Sequence, residues 1–150
     1  MATLAHRKAS VATAAIPGPL HAIILSFPAA LFVSGLVTDI VYLNTAEIMW
    51  THFSAWLIAG ADLFAGLALI WALVSLFFGS FKRHRRAGIV HVVLVAAMLV
   101  LGIVNSFQHA KDAWDSVGTF GLILSILCSL IALAVVALAH SSILVRETAA

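Results

Sequence analysis

The chain has 150 residues, of which 63% are hydrophobic and 9% are charged, and its mean hydropathy is +1.14. Water-soluble domains are about half apolar and a quarter charged, so this composition excludes a soluble globular fold. The formal net charge of +2 is too small to indicate a nucleic-acid partner. The single cysteine, Cys128, excludes an internal disulfide and provides no metal-ligand spacing.

Four apolar blocks follow a short N-terminal tail. Residues 1–18 are too weakly apolar for a secretory signal, and we expect an exposed tail there. Each apolar block is long enough for the ~20 residues that a helix needs to cross a bilayer. The sequence therefore predicts an all-α, integral membrane four-helix bundle over residues 19–145, with a second tail at 146–150. The predicted spans are roughly 20–43, 52–79, 88–108 and 118–141.

The first connection has the composition of a helix start. Asn44 and Thr45 precede Glu47 at a spacing typical of capping, so we expect the second helix to begin before His52. The second connection contains a basic run at 81–86, and the third contains acidic residues and a tryptophan.

Basic residues indicate the orientation. Seven of the eight Lys and Arg residues lie in the two tails or the second connection, and only Lys111 lies on the other side. The positive-inside rule then places both termini in the cytoplasm of a bacterial inner membrane. Trp50, Trp56 and Trp114 fall near the opposite interface, as an aromatic belt would.

Polar residues in three of the spans fall at helical spacing. In the first span, His21 and Asp39 are eighteen residues apart, and in the third span His91 and His109 repeat this distance. We expect each polar stripe to face the bundle interior. The stripe of the first span is His21, Leu25, Pro28, Phe32, Gly35 and Asp39. That of the second is His52, Ala59, Asp62 and Gly66, and that of the third is His91, Met98, Gly102, Asn105 and His109.

Histidines at equal depth on facing helices suggest axial ligands of a haem b. The candidates are His21 with His91 and His52 with His109, and His140 lies near the level of the first pair. The alternative is that each histidine lies at the headgroup level and binds nothing.

Asp62 is an ionisable residue near the middle of the second span. Such residues are costly in a bilayer and often functional, so Asp62 is a candidate for a proton or ion relay. The alternative is a neutral carboxylic acid that hydrogen-bonds across helices.

Catalytic motifs are absent from the sequence. It contains no GxSxG, HExxH, CxxC or glycine-rich phosphate loop, so no catalytic or metal-binding residues are predicted. Ser125 and Ser129 are instead predicted to hydrogen-bond between helices. An enzymatic function is not favoured.

Several short motifs resemble a known family. Residues 19–28 contain Leu-His followed by Phe-Pro, and the first span ends in Thr-Asp-Ile-Val-Tyr at 38–42. The segments 53–57 and 105–114 are similar to one proteobacterial branch. Taken in order, these motifs resemble a large bacterial family of four-helix membrane domains of unknown function. The resemblance covers most of residues 19 to 125.

The resemblance implies a functional site, and the sequence departs from the family pattern at two positions. It singles out His21 and a predicted polar cluster of Asp39, Asn105, His109 and Asp112. Ala22 and Ser75 replace a proline and an aspartate that the family usually has.

Some members are joined to Rieske-type or cytochrome domains, which implies a redox setting. The leading hypothesis is therefore a redox-associated subunit that binds haem b or lies close to a quinone. The alternatives are an accessory subunit of a larger membrane complex and a relay through Asp62.

Overall fold

The protein is an all-helical bundle. The computed structural model describes residues 18–79, 85–111 and 117–147, with side chains up to residue 139 in the last helix. Its four helices are α1 (Gly18–Thr45), α2 (Met49–Phe78), α3 (Arg85–His109) and α4 (Thr119–Glu147). All four are long and apolar enough to cross a membrane, which confirms the predicted fold class. The orientation with both termini inside stays a prediction that depends on the basic residues.

The first connection is tighter than expected. As predicted, α2 begins before His52, at Met49, but the residues expected to start it belong to the end of α1. The side chains of Asn44 and Thr45 donate to backbone carbonyls four residues earlier in α1. Ala46 then adopts a left-handed conformation (φ 57°), and its N–H donates to the carbonyl four residues earlier at 2.7 Å. Such a left-handed residue ends a helix by satisfying one of its last carbonyls.

The helices pack around one axis. α1 and α3 each pack against both α2 and α4, so α1 and α3 face one another diagonally across the bundle. The middle of the bundle is an apolar core that includes Leu25 and Phe32 of α1, Ile58 of α2, and Val95 and Met98 of α3. This core lies between two polar layers, one near each end of the bundle.

In each of the four helices one stripe of buried positions repeats every 3.5 residues. Within the stripe, steps of three and four residues alternate, as in a heptad coiled coil, where the seam between helices winds left-handedly. Other buried residues lie beside the stripes: Ala22, Ala29, Thr38, Gln108, Leu124 and Ser129. In α1 the buried stripe is His21, Leu25, Pro28, Phe32, Gly35, Asp39 and Tyr42. In α2 it is Thr51, Ser54, Ile58, Ala61, Ala65, Ala68, Ala72 and Ser75. In α3 it is Gly88, His91, Val95, Met98, Gly102, Asn105 and His109. In α4 it is Gly121, Ser125, Cys128, Ala132, Val135 and Ala139.

These stripes confirm the predicted inward faces of α1 and α3 but not that of α2. His52 is exposed and Asp62 is only half-buried. The residues that immediately precede them, Thr51 and Ala61, are buried and belong to the inward face. In a bilayer, large apolar side chains are accommodated equally well on the lipid-facing surface and in the core. Small residues therefore mark the positions where two helices pack closely. Four of the eight residues on the inward face of α2 are alanine, and this face carries no ionisable residue that would mark it in the sequence.

Candidate functional site

All four helices contribute to one buried polar cluster, which we call the Asp39 cluster; the end of the bundle that contains it is the Asp39 end. Its members are Asp39, Ser54, Asn105, His109 and Ser125. The Ser54 hydroxyl donates to Oδ1 of Asp39, and the Ser125 hydroxyl donates to Oδ2 at 2.6 Å. His109 Nε2 lies 3.0 Å from Oδ1. Asp39 is fully buried, so these contacts replace the water that a carboxyl group would otherwise bind.

The Asp39–His109 contact contains one proton. Nδ1 of His109 lies 3.0 Å from the backbone carbonyl of Asn105, which can only accept, so Nδ1 carries a hydrogen. The second contact is then either imidazolium with carboxylate or neutral imidazole with carboxylic acid. The two forms differ only in whether Nε2 or Oδ1 holds the proton. The proton can therefore move along this contact without a change in the partners of either group.

Asn105 extends the cluster across α3 and α4. Its Nδ2 donates to the Ser125 hydroxyl at 3.0 Å, and that hydroxyl donates onward to Asp39. Its Oδ1 is buried and has no partner among the described residues. Ser129, one turn after Ser125, instead donates to the carbonyl of Ser125 in its own helix at 2.8 Å. The prediction of an interhelical bond is thus confirmed for Ser125 and wrong for Ser129.

The structure brings together three of the four residues of the predicted polar cluster. Asp39, Asn105 and His109 meet as expected, while Asp112 lies outside the described residues. Ser54 was missed, although its place in the 3.5-residue repeat of small residues on α2 marks it as buried.

A second polar contact joins the same two helices at the other end, which we call the His21 end. Nε2 of His21 and Nε2 of His91 are 2.9 Å apart, with the rings edge to face. One nitrogen must donate and the other accept, so the two rings cannot both be fully protonated in this arrangement. Eighteen residues separate this pair from the Asp39–His109 contact on both helices, about 27 Å at 1.5 Å per residue. This distance is close to the ~30 Å of a bilayer's hydrocarbon core.

The four candidate haem ligands do not fit a haem in this arrangement. Metal–nitrogen bonds to imidazole of about 2 Å would hold two axial nitrogens about 4 Å apart, on opposite sides of the porphyrin. His21 and His91 are closer than that and contact one another directly. His109 has both nitrogens engaged by Asp39 and a carbonyl, and His52 is exposed on the surface of α2. The side chain of His140 lies outside the described residues.

A cleft opens beside the Asp39 cluster. It has a volume of about 430 Å³, and His109 forms the part of its wall that adjoins Asp39. The residues that line it are Thr51, His52, Ala55, Trp56, His109, Ala110 and Lys111. A narrower groove of about 250 Å³ continues from it between α2 and α3. The residues that line this α2–α3 groove are Ala55, Trp56, Ala59, Ser106 and Ala110.

Asp62 lies on the flank of α2 that faces α3. Its Oδ2 accepts a hydrogen bond of 2.6 Å from the Ser106 hydroxyl. Its Oδ1 is buried without a partner among the described residues and lies against Gly102 so closely that a Cβ there would collide with it. The glycine thus admits the carboxyl group between the helices.

Comparison with known proteins agrees with this architecture. No curated protein and no solved structure matches the chain. A family model described as "Predicted membrane protein (DUF2231)" matches residues 17–143, which include all four helices through most of α4. The match confirms the resemblance that the motifs indicated, and the chain belongs to this family of membrane proteins of unknown function.

Proposed function

We propose that the protein is a small redox-associated membrane subunit that binds a quinone at the Asp39 end. The observation that carries the proposal is the cleft with its adjoining groove. A quinone has a flat ring with two carbonyl acceptors and an apolar tail. The cleft combines donors with an apolar wall, and the groove beyond it is lined mostly by alanine.

The chemistry of the cleft suits the ring. His52 and Lys111 provide N–H donors for carbonyl oxygens. Trp56 provides a flat apolar surface and is 79% exposed, so a ring can stack on it. Behind the wall, the Asp39–His109 pair holds a proton close to the place where quinone reduction would require one. Ligand sites that combine an apolar lining with a few polar groups are typical of small-molecule binding.

Quinone binding is testable by tryptophan fluorescence, because a stacked quinone quenches the indole. Purified protein in nanodiscs is titrated with a short-chain ubiquinone. We expect saturable quenching that Trp56→Phe largely removes. Trp71→Phe is the matched control, because Trp71 lines a separate apolar groove between α1 and α2, and saturable quenching should persist in it.

The donors provide a second readout. Loss of one neutral hydrogen bond costs about 1 kcal/mol, so His52→Ala should weaken binding about fivefold. Quenching that rises linearly with quinone concentration, and equally in wild type and Trp56→Phe, would show partition into the lipid alone and refute the proposal. The accessory-subunit alternative predicts that linear result together with stable co-purification of a larger complex.

A further inference from the structure

Asp62 is the one described carboxyl group of a membrane-spanning helix that lies outside both the Asp39 cluster and the cleft. We infer that Asp62 is a proton-binding group that exchanges its proton with the Asp39 end of the bundle and not with the His21 end. The inference is independent of quinone binding, because it depends on the surroundings of Asp62 alone.

The partners of Asp62 suit a proton better than a metal ion. Hard cations need several oxygen ligands, whereas Asp62 has one hydroxyl partner, Ser106. Among the described residues no group of three or more His, Cys, Asp or Glu could hold a metal ion. A carboxylate near the middle of a membrane-spanning helix is costly without a cation, and protonation removes most of that cost. On α4 the titratable group of the core is the buried Cys128 thiol, which supplies no positive charge.

The α2–α3 groove provides a path on one side. Ala55, Ala59 and Asp62 follow one face of α2 at steps of four and three residues. Ser106 lines the groove and also donates to Asp62, so the groove reaches the carboxyl group. Small side chains leave room along this path for water or for the tail of a lipid.

On the other side an apolar layer closes the path. Phe32 and Met98 are fully buried in the core, together with Val95 and Ala65 one turn further toward the His21 end. No described polar side chain of the core connects Asp62 with the His21–His91 pair, so a continuous relay across the bundle is not supported. Proton exchange is therefore one-sided.

A carbodiimide tests the inference, because it modifies protonated carboxyl groups in apolar surroundings. The acid proton moves to a carbodiimide nitrogen, the carboxyl oxygen bonds to the central carbon, and rearrangement gives a stable N-acylurea. We expect dicyclohexylcarbodiimide to modify Asp62 in the full-length protein, as located by peptide mass spectrometry. The rate should fall about tenfold for each pH unit once the group is mostly ionised.

Variants of Asp62 and the dependence of the modification rate on the pH of each side of the membrane complete the test. Asp62→Asn should abolish the modification, Asp62→Glu should retain it, and Asp39→Asn should leave the modification of Asp62 unchanged. In oriented vesicles the rate should follow the pH on the Asp39 side alone. The inference is overturned by an unmodified Asp62 in wild type, by protection with sodium at constant pH, or by a rate that follows the pH on the His21 side.

Discussion

Replacing Asp39 with alanine tests whether the Asp39 cluster holds the four helices together. The substitution removes the acceptor for three side-chain donors, Ser54, Ser125 and His109, and leaves them buried. Ser54 alone has a second acceptor within reach, the carbonyl of Gly35 at 3.3 Å. The change therefore removes one side-chain hydrogen bond between α1 and each of the other three helices.

The expected loss of stability follows from the number of bonds. Interhelical hydrogen bonds in membrane proteins are worth roughly 0.6–1.7 kcal/mol each, and three of them are lost. We expect Asp39→Ala to lower the free energy of unfolding by about 2–5 kcal/mol. Asp39→Asn should lose less than about 1 kcal/mol, because its amide can donate to Nε2 of His109 while its oxygen still accepts from Ser125.

A pair of serines on α4 provides the matched control. Ser125 and Ser129 are both buried and lie one turn apart, but only Ser125 bonds to other helices. Ser125→Ala should cost about 1–2 kcal/mol, since it removes the hydrogen-bond partner of Asn105 Nδ2 and of Asp39 Oδ2. Ser129→Ala removes only a bond within its own helix and should cost less than about 0.5 kcal/mol.

The measurement is equilibrium unfolding in mixed micelles, with increasing SDS and tryptophan fluorescence as the probe of helix separation. Far-UV circular dichroism before the titration checks that each variant is folded. If Asp39→Ala costs no more than Ser129→Ala, the cluster does not stabilise the bundle and the argument fails.

Three further predictions concern other parts of the chain. Ala46→Gly should raise the free energy of unfolding by about 1 kcal/mol, because the left-handed conformation strains an alanine and not a glycine; an unchanged or lower stability in the same titration would contradict this. Gly102→Ala should lower stability by about 1–3 kcal/mol through collision with Asp62, and Asp62→Ala should restore part of the loss; additive losses in a double-mutant cycle would count against that contact. Membrane-impermeant maleimide applied to intact cells should label Thr45→Cys and not Gly79→Cys if both termini are inside, whereas the reverse pattern would invert the orientation.

The fold could be predicted from the sequence because apolar length is a strong signal in a membrane protein. The inward faces of α1 and α3 were also predictable, since they carry ionisable residues that lipid does not tolerate. The same reasoning predicted the wrong inward face for α2. Its polar residues His52 and Asp62 lie outside the buried face, which includes four alanines. Ser54 was missed for this reason, although it is one of the three donors to Asp39.

The direct contact between His21 and His91 was not predictable either. Equal depth on two helices is compatible with a contact, with a gap for a cofactor, or with separate orientations toward the headgroups. The choice depends on the distance between the helix axes, and that distance depends on side chains of all four helices. The sequence pattern therefore found the right residues without determining what lies between them.

The equal spacing of the two α1–α3 contacts also constrains how the length of the chain can vary. One residue inserted into α1 between His21 and Asp39 would turn one contact by about 100° relative to the other and shift it by about 1.5 Å. A matching one-residue insertion in α3 between His91 and His109 would not restore the contact, because both side chains would turn in the same sense and away from each other. The length of these two segments should therefore stay fixed or change in both by whole seven-residue repeats, whereas the three connections can change in length independently.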